Sequence, residues 1–205
     1  MLFKLKKLFS CTLLLLSLSC VNVYASSPVV FMQSLGDHMV VALSKQQSQL
    51  RSNPSVIPRI VDRVLIPHVD VNRMAGMTVG RNHWYKASDN QRRLFVRLYK
   101  RMVVQTYADA LASFDNDTVK VFPLRGSAKG VRYLKVNSVI IRKTGQKIGI
   151  SYNLVRSGSG WKIYDFSIEG VSVVSNYRAQ FYSVLSQGGL SKLNAQLQRY
   201  QRGVR

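Results

Sequence analysis

The groups able to do acid–base, nucleophilic or metal chemistry are few and scattered. Three histidines, His38, His68 and His83, and nine acids serve a chain of 205 residues. Catalysis near neutral pH calls on a histidine, a tuned carboxylate or an activated nucleophile, each held by a supporting partner. None of the histidines has the i, i+4 partner of a zinc-binding helix, and the acids form no cluster dense enough for calcium or magnesium. His68 lies two residues from Asp70, a spacing compatible with a dyad, yet beside Pro67 at a helix end it reads as an ordinary surface histidine. Asp165 and Glu169 fall on one face of a strand pattern, where they could serve as a general base in a pocket; pairing with the surplus arginines accounts for them more simply. Gly158 and Gly160 flank a serine in a turn, without the strand-to-helix setting of a phosphate loop, and Gly-x-Ser-x-Gly does not occur. Binding rather than catalysis is expected, with no metal and no cofactor.

Charge dominates instead. Thirty lysines and arginines stand against nine aspartates and glutamates, a net charge of +21. Such a surface attracts phosphate, in nucleic acid or in anionic lipid headgroups. Residues 1–25 have to be set aside first. Lys4, Lys6 and Lys7 form a positive start, residues 8–18 an apolar run, and Ala25 ends a small-residue cleavage pattern, so this segment reads as a secretory signal peptide. The run is too short for a bilayer, which needs about 20 apolar residues, and no transmembrane segment is expected after cleavage. An alternative, Cys20 as the lipidated first residue of a lipoprotein, has Ser17 where the usual leucine would stand. Cleavage after Ala25 removes both cysteines and three lysines, leaving 180 of the 205 residues, no thiol and a net charge of +18. Disulfides and thiolate metal sites are then excluded. A periplasmic destination follows, and with it little contact with nucleic acid. The basic residues are also dispersed among apolar ones, without a recognised nucleic-acid motif. With 46% of residues apolar and 19% charged, residues 26–205 can build one domain around a core of their own.

The elements that would position any site follow from periodicity. Over residues 28–50, Phe31, Leu35, Met39, Ala42 and Leu43 recur at helical spacing until Ser52-Asn53-Pro54 breaks the pattern. Ile57, Ile60, Val61, Val64 and Leu65 mark a second helix, stopped by Pro67. Residues 69–84 are apolar without a clear period and are expected to be irregular. Ser88 and Gln91 have capping-box spacing and open a long helix over 89–113, with Arg93, Arg97, Lys100 and Arg101 opposite its apolar stripe. From residue 118 the period becomes two, giving strands at 119–124, 131–143, 147–156 and 161–169. Thr144-Gly145 is expected to form a two-residue hairpin turn. Ile148, Ile150, Tyr152 and Leu154 alternate with Lys147, Gly149, Ser151 and Asn153, which predicts a sheet buried on one face only. Two helices over 175–200, joined at Gly188-Gly189, close the chain. Helices over 28–114, a sheet over 118–170 and helices after it make an α+β domain with a twisted antiparallel sheet of about four strands.

Particular stretches carry a resemblance. Trp161-Lys162-Ile163-Tyr164-Asp165, then Ile168-Glu169-Gly170-Val171-Ser172, then Tyr177, Phe181 and Gly189-Leu190 resemble the C-terminal half of the toluene-tolerance (MlaC) family. Upstream, Ala75-Gly76, Val79-Gly80 and Trp84 before the Ser88 cap, then Gln91, Phe95, Tyr107 and Leu111, resemble it too, so the likeness runs from Phe31 to Leu197. The resemblance implies a periplasmic phospholipid carrier of NTF2-like or cystatin-like character, its sheet and surrounding helices holding acyl chains in a deep apolar cleft. It further implies exchange of lipid between an outer-membrane Mla lipoprotein complex and an inner-membrane Mla ABC transporter with a hexameric lipid-binding ring, which maintains outer-membrane lipid asymmetry. Phospholipid is then the ligand. The chain is more basic than the family pattern leads one to expect, which bears on its docking surfaces.

Moving a two-chain lipid through water exposes on the order of 30 methylenes at about 0.8 kcal/mol each, a penalty that a carrier must cover almost completely. The apolar helical faces of this chain exceed what one small sheet needs. The expected cleft lies between the sheet's apolar face, with Ile150, Tyr152, Leu154 and Phe166, and the 89–113 helix, with Phe95, Leu98, Tyr99, Met102 and Tyr107. Val61 and Leu65, then Val171, Tyr177 and Phe181, would complete the lining, and Met74 and Met77 suit an adaptable mouth because methionine fills irregular space. Arg73 and Arg81 are the candidates for meeting a headgroup. Ordinary core packing accounts for each stripe taken separately. An exported pocket protein that binds or isomerises a smaller hydrophobic molecule is the other reading of the same pattern.

Overall fold

Alternation of apolar and polar residues between Thr118 and Ser172 builds one antiparallel sheet in the order β1-β2-β3-β4-β5. The strands are β1 (Thr118–Val121), β2 (Tyr133–Ile141), β3 (Lys147–Ser157), β4 (Gly160–Ile168) and a two-residue β5 (Val171–Ser172). The computed structural model describes residues 27–203 apart from Arg51 and Pro54, so the signal-peptide reading of residues 1–25 lies outside the described residues. Register places Val121, Val136, Ser138, Ile150, Tyr152, Leu154 and Phe166 on one face, and Lys120, Tyr133, Lys135, Asn137, Lys147 and Ser151 on the other. A slip between Asn153 and Leu154 leaves Tyr164 as an extra residue on β4. The β2–β3 connection is not the two-residue turn expected from Thr144-Gly145. Gly145 N–H donates to the Arg142 carbonyl and Arg142 N–H to that of Gln146, so three residues form the loop and Gly145 closes it at φ +85°.

Helix α1 (Pro28–Ser44) lies across β1 and β2 and buries Met32 and Leu35 against them. Its Gln33 takes the place of a further strand: the side-chain amide donates to the Val119 carbonyl at 3.0 Å and accepts from Val121 N–H at 2.9 Å. The approach is close because residue 36 is glycine. A Cβ there would stand 2.9 Å from Val119 Cγ1. After the short α2 (Gln47–Leu50), α3 (Val56–Val64) buries Val56, Ile57, Ile60 and Val61, and a 3₁₀ turn (Ile66–His68) follows at Pro67.

Residues 69–84 are helical, which corrects the irregular segment expected there. Helix α4 (Val71–Val79) is capped by Asp70, whose carboxylate accepts Arg73 N–H at 3.0 Å, and α5 (Arg81–Lys86) follows Gly80. Met74, Ala75, Thr78 and Val79 form the buried face of α4. Gly76 and Thr78 lower the local helix propensity and mask this stripe in the sequence, and tertiary packing overrides them. Gly76 itself abuts the Trp84 indole.

Helix α6 (Asp89–Thr106) begins with the predicted capping box. Ser88 N–H donates to Gln91 Oε1 at 2.9 Å, and Gln91 N–H donates to Ser88 Oγ at 3.3 Å. The 89–113 helix is interrupted, however: Tyr107 leaves helical geometry and α7 (Ala108–Ala112) is a separate piece. Helix α8 (Val173–Gly203) contains both predicted C-terminal helices, broken at Gly188-Gly189, where Gly189 has φ +60°. Its start explains Asp165. That carboxylate pairs with no arginine; it accepts Val174 N–H at 3.1 Å and the Ser172 hydroxyl at 2.7 Å, capping α8 while buried. Glu169, in the β4–β5 turn, accepts the N–H of Gly149 on β3.

Three apolar clusters hold these parts together. The largest joins α4, α6 and α8, where Phe95 stacks on Tyr99 and Tyr177 on Phe181, each pair meeting the other edge-on at 5.8–6.1 Å. Thr78 donates to the Tyr99 hydroxyl inside it at 3.0 Å. A second joins α1 to the sheet, and a third joins α1, α2 and α3 to Phe114. Among the described residues no helix is long and apolar enough to cross a membrane.

Two expectations for stability follow. Glycine to alanine inside a helix ordinarily gains about 1 kcal/mol, but at Gly36 the new methyl meets the stiff, branched Val119 side chain. Gly36→Ala is expected to lower stability by about 1–3 kcal/mol in denaturant unfolding; a raised midpoint would contradict the close packing. Burial lifts the Tyr99 phenol well above the ordinary tyrosine value. The folded state then keeps a proton that the unfolded chain releases near pH 10, so stability holds below about pH 10 and falls above it. Tyr99→Phe is expected to lose less stability than the parent between pH 9 and pH 11, and equal losses would refute this.

Candidate functional site

The apolar face of β3 has an unusual position in the packing. Helix α1 lies on β1 and β2, while α4, the 3₁₀ turn and the start of α8 lie along β4. Among the described residues helix backbones approach β1, β2 and β4 more closely than they approach β3. Side chains from elsewhere cover it. Leu154 and Tyr152 join the α1 cluster, and Phe166 on the neighbouring strand joins the α4–α6–α8 cluster. Ile150 is buried yet belongs to none of the three clusters, and Ile148 and Ile168 beside it are half-buried.

The segment 107–113 is tied to the sheet at two separated points. Tyr107 meets Phe166 edge-on at 5.8 Å. At the other end the Arg142 guanidinium donates to the carbonyls of Ser113 and Ala110 and pairs with Asp117 at 2.8 Å. Because Phe166 is on β4 and Arg142 follows β2, this segment passes over β3. Ile148, Ile150 and Ser138 therefore sit under a segment tied to the sheet at its two ends and packed through Ala108, Leu111 and Ala112 against the α3 cluster. Three polar atoms are left over in this region: Ser138 Oγ, on the sheet's apolar face, Gln105 Oε1, near the end of α6, and Asp117 Oδ1 are buried without a hydrogen-bond partner among the described residues.

The residues predicted to line a cleft divide into groups. Met74, Phe95, Leu98, Tyr99, Met102, Tyr177 and Phe181 form the helical cluster. Val61 belongs to the α3 cluster, and Leu65 packs against both that cluster and the sheet. Ile150, Tyr152, Leu154, Phe166 and Tyr107 gather around β3 as described. Met77 and Val171 are exposed, Val171 at 60%. Ile148 was expected on the sheet's apolar face and lies there, whereas Ser138 and Ile168 were not expected at the site; strand alternation alone sets Ser138 on the face of Val136 and opposite Ile150, a signal that was available.

The polar candidates have ordinary duties. Arg73 pairs with Asp70 at 3.1 Å and donates to the Tyr133 hydroxyl on the sheet's other face, and Arg81 lies over the Tyr85 ring. His68 forms no dyad: it meets Phe31 edge-on, and burial followed by the nearby Lys162 pushes its pKa down. Burial raises the Tyr107 and Tyr152 phenols, so both are neutral at physiological pH. Among the described residues no three metal-ligating side chains gather. Two cavities open at the surface. One of about 410 Å³ lies between Val69–Asn72 and Lys162, and one of about 370 Å³ lies at the Gly188-Gly189 break beside His83 and Lys86. The first also touches Ser157 at the end of β3, and neither is lined by Ile148, Ile150, Tyr152 or Leu154.

Comparison with known proteins supplies the remaining evidence. Over residues 33–199 the chain matches the family model of the MlaC protein. It is 26% identical over 204 residues to the intermembrane phospholipid transport system binding protein MlaC of Haemophilus influenzae, covering 97% of this chain and 94% of that protein. It is 24% identical over 176 residues to the toluene tolerance protein ttg2D of Pseudomonas putida, covering 86% and 81%. Among solved structures, the phospholipid-binding protein from Ralstonia solanacearum, determined in complex with a phospholipid at 1.53 Å, superposes with a TM-score of 0.77. That pair shares 27% identity, and the match covers 83% of this chain and 94% of that one. A family model spanning nearly all of the described fold decides the assignment: the chain belongs to the MlaC family.

Proposed function

We propose that this protein is a periplasmic phospholipid carrier, taking acyl chains between the apolar face of β3 and the 107–113 segment and shuttling lipid between outer- and inner-membrane Mla complexes. It is a carrier rather than an enzyme. The observation that carries the reading is the packing of β3, to which helix backbones come less close than to its neighbours and whose Ile150 is buried outside all three apolar clusters. The similarity in fold to a protein solved with a phospholipid supports the choice of ligand.

Loading requires the closed face to part. The contact best suited to yield is the segment over β3, because one ring contact and the bonds of Arg142 fasten it to the sheet, while Ala108, Leu111 and Ala112 hold it to the α3 cluster rather than to β3. Lifting it would expose Ile148, Ile150 and Tyr152, take Tyr107 off the edge of the α4–α6–α8 cluster, and leave the fully buried residues of that cluster in place. Acyl chains replacing that contact would restore the burial lost, so the opened state is stable only when filled.

Native mass spectrometry of protein purified from the periplasm is expected to detect phospholipid-sized adducts. Tyr152→Glu would set a carboxylate against the tails, a penalty of about 3 kcal/mol or more, and so lower lipid occupancy at least about a hundredfold. Tyr152→Phe should retain the lipid, and both variants should keep the parent's circular dichroism. Adducts persisting in Tyr152→Glu would refute the location of the cleft. Their absence from the parent would refute lipid carriage, and smaller adducts would indicate a protein for a smaller hydrophobic molecule.

A further inference from the structure

We propose that the outer face of the sheet, opposite the β3 cleft, is a docking surface for anionic phospholipid bilayers. Lys120, Lys135 and Lys147 point outward from three successive strands, are exposed, and form no ion pair among the described residues. Two aromatic side chains stand out among them, Phe122 at 42% and Tyr133 at 46% exposure. The guanidinium of Arg132 lies 5.6 Å from the centre of the Tyr133 ring and that of Arg73 lies 5.7 Å from it.

The acids that could neutralise this face are occupied. Asp165 is buried in the α8 cap, Glu169 accepts Gly149 N–H, and Asp70 caps α4 and pairs with Arg73. Asp165 and Glu169 keep their charge at the β4–β5 side of the sheet, while Lys120, Lys135 and Lys147, on β1 to β3, have no acidic partner among the described residues.

The composition selects the partner. Protein interfaces favour arginine and aromatic residues but are depleted in lysine, because a lysine must surrender its hydration to a shaped counterpart. A lipid leaflet imposes no such demand: each cation near the surface adds its attraction separately, and tyrosine and phenylalanine settle at headgroup depth. Lysines spaced across a sheet with aromatics between them fit a diffuse anionic plane better than an acidic protein patch. The inference rests on the carrier reading only for the expectation that the protein visits membranes.

Sedimentation of the mature protein with vesicles tests it. Binding is expected to vesicles of phosphatidylglycerol and phosphatidylcholine at 3:7, but not to phosphatidylcholine alone, and to vanish near 0.5 M salt as screening shortens the reach of the charges. The variant K120E/K135E/K147E should bind at least about tenfold more weakly while keeping the parent's circular dichroism and co-purified lipid. A triple glutamine variant, K120Q/K135Q/K147Q, should fall between the two. Failure of the parent to bind anionic vesicles, or equal binding by parent and variants, would overturn the proposal whatever the cleft holds. Capture of an acidic protein without any vesicle binding would overturn it in favour of a protein partner.

Discussion

The apolar face of β3 must be kept from water although helix backbones come less close to it than to the strands on either side. Fully burying one such aliphatic or aromatic side chain contributes about 1.5–3 kcal/mol, and Ile148, Ile150, Tyr152 and Leu154 stand in a row. The fold meets this constraint by convergence. Helix α1 approaches from the β1 side, the α4–α6–α8 cluster from the β4 side, and the 107–113 segment spans the gap. A region sheltered at the meeting of independent clusters can be re-covered by something else without dismantling any of them. That property separates a ligand space from a core.

The division of labour between clusters follows. Phe95, Tyr99, Tyr177 and Phe181 interlock so closely, with Phe95 and Tyr99 fully buried, that their part is to hold α6 against α8. The half-buried residues around β3 are the ones with freedom to change partners. Apolar stripes of similar strength thus serve different ends, and neighbouring elements decide which.

Much of this was legible in the sequence, for identifiable reasons. The capping box at Ser88 and Gln91 is a local signal and appears as read. The alternation of β3 fixes which side chains share a face, and that too appears as read. What was not legible depended on distant partners. The helix at Val71–Val79 is hidden by Gly76 and Thr78 until Trp84 and α8 pack on it. The break at Tyr107 has no Gly or Pro to announce it. Asp165 looked like an arginine's partner because the start of α8, which claims its carboxylate, comes nine residues later. At the site, alternation identified Ile150, Tyr152 and Leu154, but periodicity has no means of telling a stripe that locks a bundle from one that bounds an opening.

Gln33 carries a consequence of its own. An outermost strand normally presents a row of unpaired amide groups on which another chain can assemble. Here one side chain occupies two of those positions on β1, so the sheet ends in a seal made by the molecule itself. A protein whose work would have it uncover greasy surface again and again thereby offers a smaller template for fibre growth along β1.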